Sequence, residues 1–137
     1  VGLYENLVED LDFEYSRPQE NGYRTDVRWF RVLNENNIGF EIKGEPLISF
    51  SAHYNTIEDF DDGLRPNNPG EKVGTRKRII KKQRKPIDVP KRDFISLNID
   101  LKQMGVGGDN SWGARTLPKY TISPGNYSYS FTISPVN

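Results

Sequence analysis

Three stretches of this chain alternate apolar and polar residues with a period of two, and this alternation constrains the fold more than any other feature. Ile38, Phe40 and Ile42 alternate with Gly39, Glu41 and Lys43. Ile95, Leu97, Ile99 and Leu101 alternate with Ser96, Asn98 and Asp100. Tyr127, Tyr129, Phe131 and Ile133 alternate with Ser128, Ser130, Thr132 and Ser134. Successive side chains on a β-strand point to opposite faces, so each stretch predicts a strand with one apolar face. Residues 25–33 read as a further strand. There Val27, Trp29 and Leu33 fall on one face and Phe30 and Val32 on the other, which predicts burial on both sides. Asn34-Glu35-Asn36-Asn37 is turn chemistry, because Asn tolerates left-handed backbone, and it joins residues 25–33 to residues 38–42 as a β-hairpin.

The other segments are shorter. Residues 47–52 predict a separate strand with Ile48, Phe50 and Ala52 on one face. Asn55 or Thr56 fits a helix N-cap, with Glu58 and Asp59 in a first turn whose dipole favours negative charge, and the helix should end before Gly63. Residues 65–70 read as a Pro/Asn loop. Residues 1–24 are acidic, interrupted by Pro18 and Gly22, and read as an irregular approach segment. Six or seven strands with one short helix predict an all-β antiparallel β-sandwich, taken as a single domain over residues 1–137.

Composition excludes several function classes. Only 34% of the 137 residues are hydrophobic, but aromatics reach 12%, enough for a core built on Phe, Tyr and Trp. With no cysteine there can be no disulfide, thiolate metal site or cysteine nucleophile. No apolar run approaches the roughly 20 residues that span a bilayer as a helix, so no membrane partner is expected. Residues 1–24 do not read as a signal peptide. The chain opens on Val1 instead of Met, as at a cut or a cleavage point. Cytoplasm and periplasm both remain open.

Formal charge is zero, but it is unevenly spread. Residues 72–92 hold 10 of the 19 Lys and Arg and one acid, Asp88, a local +9 that leaves 9 − 18 = −9 elsewhere. Such a run can bind a polyanion. It has no interleaved aromatic before Phe94 for base stacking, so a nucleic-acid partner is not expected. The competing reading is a solvated basic insertion that balances or docks on the acidic remainder, including residues 5–14.

Chemistry-bearing residues are few. His53 is the lone histidine, with no G-x-S-x-G serine beside it, and reads as structural. No His pair or carboxylate cluster has metal-ligand spacing, and no metal site is expected. Asp100, Asp109 and Glu41 are the best-placed carboxylates for a glycosidase pair, but sequence spacing in an all-β chain does not bring two of them across a cleft. The glycine-rich loop over residues 105–113 is the most distinctive feature. Gly105, Gly107 and Gly108 permit backbone angles closed to other residues, and Asp109, Asn110 and Ser111 can cap a convoluted turn. Trp112 then emerges on the loop, either to plug the edge of the sandwich or to stack on the C–H face of a sugar. The loop lacks GxGxxG spacing and a Lys-Ser/Thr ending, which argues against phosphate binding.

Leu97-Asn98-Ile99-Asp100 followed by Met104-Gly105-Val106-Gly107-Gly108-Asp109-Asn110-Ser111-Trp112-Gly113 closely resembles the signature near the C-terminus of large bacterial β-galactosidases of glycoside hydrolase family two. Further resemblances follow in order. Tyr4-Glu5-Asn6 is similar to the family's G-P-x-E-N-Y-x-D-R entry motif, and Pro18-Gln19-Glu20-Asn21-Gly22 to its P-x-E-N-G turn. Phe50-Ser51-Ala52 with Tyr54, and Pro124-Gly125-Asn126-Tyr127-Ser128-Tyr129, are similar to two later strands. The likeness spans nearly the whole chain except residues 72–92. It departs at residues 7–10, which lack the usual Tyr and Arg, and at Asn110, which stands where the family has Asp.

The resemblance implies the second half of a galactose-mutarotase-like supersandwich, the last domain of an enzyme that hydrolyses terminal β-D-galactose in lactose-type substrates. It implies that the two catalytic glutamates lie on a separate (β/α)8 barrel, so no catalytic residue is expected in this chain. Mg²⁺ and Na⁺ would sit on other domains, and no cofactor is expected here. Trp112 would stack on the galactoside, with Asp109 and Asn110 as polar partners and Gly105, Gly107 and Gly108 shaping the loop. The expected partners are the remainder of the β-galactosidase chain and, since half a sandwich leaves an apolar face open, further copies in a homo-oligomer. An independent carbohydrate-binding module using Trp112, Asp109 and Asn110 is the alternative.

Overall fold

The computed structural model describes residues 1–16, 20–60, 85–105 and 113–137. The architecture is all-β, a mainly antiparallel sheet with one short helix and no closed barrel, consistent with a β-sandwich. The described chain forms two compact units, residues 1–22 with 52–96 and residues 23–51 with 97–137.

The second unit holds the sheet. Strands β1 (Arg24–Leu33), β2 (Gly39–His53), β3 (Ser96–Asp100) and β4 (Ser130–Val136) form one four-stranded sheet with β2 at its centre, paired with β1, β3 and β4. β1 and β2 form the expected hairpin. Asn37 takes a left-handed φ of 61°, Asn34 N–H donates to Ile38 C=O at 2.9 Å, and the Asn34 side chain accepts from the N–H groups of Asn36 and Ile38. Residues 39–42 and 47–52, expected as separate strands, are one strand of 15 residues. The register explains why: Val27 faces Ile48 while Trp29 faces Lys43, so the Gly44-Glu45-Pro46 stretch is absorbed as a bulge without ending the ladder.

Antiparallel partners share a face, so the register sorts the side chains. Phe30, Ile42 and Ile133 form one row, and Val32, Phe40 and Pro135 the next, on one apolar face. Trp29, Lys43 and Thr132, then Arg31, Glu41 and Ser134, line the opposite face, where Arg31 and Glu41 form an ion pair at 2.7 Å. The core gathers around buried Phe30, Ile42 and Ile48, with Val27, Val32, Phe50 and Ile99 packed against them. The rings of Phe30 and Phe50 stack with centroids 3.9 Å apart. Burial on both faces of β1 does not occur, because Trp29 and Leu33 are exposed. The apolar face itself is only partly covered, with Phe40 and Ile133 each 55% exposed. β3 and β4 are shorter than the alternation predicts. Tyr129 precedes β4, and its hydroxyl donates to Ile99 C=O at 2.9 Å.

In the first unit the approach segment is irregular apart from a 3-10 turn at Val8–Leu11. Helix α1 (Ile57–Phe60) starts at Thr56, whose N–H donates to the Asp59 carboxylate at 2.8 Å. Asn55, the other cap candidate, instead donates from its side chain to Pro90 C=O at 2.7 Å. The predicted end of the helix before Gly63 and the loop at residues 65–70 lie outside the described residues.

Candidate functional site

β3 leads directly into the glycine-rich loop. Its Asn98 amide donates to the buried Ser51 hydroxyl at 3.1 Å, and Ile99 accepts from Tyr129. Beyond it, Gly105 N–H donates to Tyr120 C=O at 2.8 Å and closes the loop at its neck. A Cβ on Gly105 would lie 2.6 Å from Tyr120 Cβ, closer than two carbons pack, so the approach requires glycine. Tyr120 ends a 3-10 turn, Pro118–Tyr120, in which Tyr120 N–H donates to Leu117 C=O at 2.9 Å. The Thr116 and Thr121 hydroxyls bond to each other at 3.2 Å across this turn. Of the residues singled out in the loop, only Gly105 is described. Gly107, Gly108, Asp109, Asn110 and Trp112 lie outside the described residues.

The other candidates do not converge. Glu41 is held by Arg31 on the polar sheet face. Asp100 lies beside Tyr23, whose phenol pKa is raised, first by burial, with the Asp100 charge adding to it against a hydrogen bond from Ser49 that lowers it. Asp109 lies outside the described residues. Among the described residues no three His, Asp or Glu side chains gather closely enough to hold a metal ion, so no donor set fits Mg²⁺ or Na⁺ there and no step is routed through one. No described helix is long and apolar enough to cross a membrane.

His53 belongs to the first unit. Its Nε2 bonds Asn21 C=O at 2.8 Å and its Nδ1 lies 3.5 Å from Asp12. Asn21 is the hub that the sequence reasoning passed over. Its side chain donates to Asp12 at 2.5 Å and to Phe13 C=O at 3.1 Å, and accepts from Phe13 N–H at 2.6 Å. Gly22 follows with a φ of +62°, and a Cβ there would meet Leu11 C=O at 2.3 Å. The Asn-Gly pair was the available signal, since only glycine enters that conformation at such an approach. A cleft of about 770 Å³ in this unit is bordered by Asp12, His53, Tyr54 and Phe60, and none of the described loop residues lines it.

The described end of the basic run, residues 85–92, docks on acids of its own unit. Arg92 Nε contacts both Asp59 oxygens, at 3.1 and 3.0 Å, and its Nη2 bonds Oδ1 as well. The Arg92 guanidinium, with a backbone bond from Thr56, holds the Asp59 carboxyl below the usual carboxylate range against the opposing effect of burial. Lys91 lies 3.9 Å from Glu9. Residues 72–84 lie outside the described residues.

An antiparallel sheet with an apolar face half open, a clamped glycine-rich neck and no assembled acid pair among the described residues defines an accessory β domain. The model of the family described as beta galactosidase small chain matches residues 1–133. The chain is 34% identical to a beta-galactosidase of Priestia megaterium over 137 residues, 99% of this chain and 11% of that protein. It is 31% identical to one from Halalkalibacterium halodurans over 87% of this chain and 10% of that protein. A Streptococcus thermophilus beta-galactosidase is 29% identical over 100% of this chain and 12% of its own length. The chain belongs to the β-galactosidase small-chain family, and it spans about a tenth of the length of these relatives.

Proposed function

We propose that this chain is a non-catalytic C-terminal part of a β-galactosidase that completes the sugar site with Trp112. The family match across residues 1–133, in a chain equal to only 11% of a beta-galactosidase, carries this reading. In it, the two glutamates that cleave the glycosidic bond with retention belong to the absent catalytic part. Trp112 stacks on the galactose ring, Asp109 and Asn110 supply polar contacts, and Gly105, Gly107 and Gly108 shape the loop. The fold is the second half of a mutarotase-like sandwich. The open face of Phe40, Ile133 and Phe131 supports a partner of the same chemistry, because exposed apolar rows of this kind are covered in a finished sandwich. That partner is the remainder of the enzyme, and in its absence further copies of the chain.

The test is complementation. A β-galactosidase lacking the segment that matches residues 1–133 is mixed with this chain, and hydrolysis of a chromogenic β-galactoside is followed. Activity is expected only on mixing, and Trp112→Ala, folded by circular dichroism, is expected to weaken turnover. Full activity of the truncated enzyme alone would refute the reading and favour an independent carbohydrate-binding module.

A further inference from the structure

The neck of the glycine-rich loop is held from both sides. On the Tyr120 side, the 3-10 turn Pro118–Tyr120, the fixed φ of Pro118 and the Thr116–Thr121 bond set the backbone. On the other side, β3 is fixed to the sheet through Asn98 and Ile99 five residues or so before Gly105. The two sides meet at the Gly105 N–H to Tyr120 C=O bond of 2.8 Å, at an approach where a second Cβ does not fit. In sequence, Trp112 lies seven residues after Gly105 and eight before Tyr120.

We propose that Gly105 and Tyr120 form a positioning clamp for Trp112. The inference rests on the sugar-stacking reading above and deepens it. A segment closed at its neck samples fewer conformations than one free over a longer span. A binding group that starts near its bound geometry loses less freedom on binding, so affinity rises without any new contact. The clamp residues act through Trp112 and touch no sugar, so they are positioning residues.

The experiment is a double-mutant cycle in the complemented enzyme. Gly105→Ala is expected to raise KM for the chromogenic galactoside about threefold to tenfold with little change in kcat, the signature of lost binding that ground and transition states share. In a Trp112→Ala background the same substitution is expected to add nothing. Gly105→Ala combined with Tyr120→Gly moves the missing Cβ across the contact and is expected to recover most of the loss. This swapped pair carries the test if Gly105→Ala alone fails to fold. An equal loss with and without Trp112, or no loss at all, would overturn the clamp.

A second readout separates the clamp from the sugar role. The chain has two tryptophans, so Trp29→Phe leaves Trp112 as its sole indole. Acrylamide quenching of that indole should rise with Gly105→Ala and fall back with the swapped pair, and quenching that does not respond overturns the clamp. If Trp112→Ala leaves KM unchanged, the stacking reading fails, and the quenching result still decides whether the clamp exists.

Discussion

The most direct test of the open sheet face compares two isoleucines on one row. Ile42 and Ile133 pair across β2 and β4 on the same face, yet Ile42 is 1% exposed and Ile133 is 55% exposed. Ile42→Ala deletes three buried carbons, about 2.4 kcal/mol at ~0.8 kcal/mol each. An unfilled cavity adds to this, but the neighbouring row is open and can relax, so a loss of about 3 kcal/mol is expected. Ile133 has a little under half of its side chain removed from water, so Ile133→Ala should lose about 1 kcal/mol. The assay is urea denaturation of this chain followed by far-ultraviolet circular dichroism at equal m-values. Complementation supplies the contrast, because a face that docks on the rest of the enzyme makes Ile133→Ala weaken assembly more than it weakens the isolated chain. Equal losses for the two substitutions in the isolated chain would refute the reasoning, since Ile133 would then already be covered.

Two further outcomes follow from the first unit. Gly22→Ala places a Cβ against the Leu11 carbonyl at a φ of +62° and should destabilise by about 2 kcal/mol or more, read as a lower midpoint in thermal denaturation. The Asp59 carboxyl is held below its usual range by Arg92, so its stabilisation is present above the unfolded carboxylate range near pH ~3.9 and is lost as pH falls through the lower folded value. Urea midpoints of the parent chain and Asp59→Asn should therefore differ at neutral pH and converge on acidification, and curves that stay parallel between about pH 6 and 2 would refute the assignment.

Local chemistry made part of this fold legible. The hairpin followed from alternation flanking Asn34-Glu35-Asn36-Asn37, and the helix start followed from Thr56 and Asp59, because both depend on neighbours in sequence. The length of β2 did not, since Gly44 and Pro46 spell termination and only pairing with Val27 and Trp29 shows that the ladder continues past them. Burial of Trp29 and Leu33 was misjudged because a period of two sorts residues onto faces without saying what covers each face. At the loop, the spelling of residues 97–113 pointed to the family, but the need for glycine at position 105 depends on Tyr120, 15 residues further on, and is visible only in the fold. Asn21 was missed for the same reason, as its side chain acts on Asp12, Phe13 and the His53 partner bond together.

The central position of β2 has a consequence for how the chain comes together. Along Gly39–Glu45 one edge is satisfied by the adjacent hairpin strand, while the other waits for Ser130–Val136, where Gly39 meets Val136. The first pairing is local and fast, and the second spans nearly a hundred residues of intervening chain. During synthesis the hairpin therefore stands with an unpaired, apolar-lined border until the closing strand emerges. Loss of that last strand leaves the border permanently open, and the expected fate of such a chain is strand addition to a neighbour, not simple unfolding.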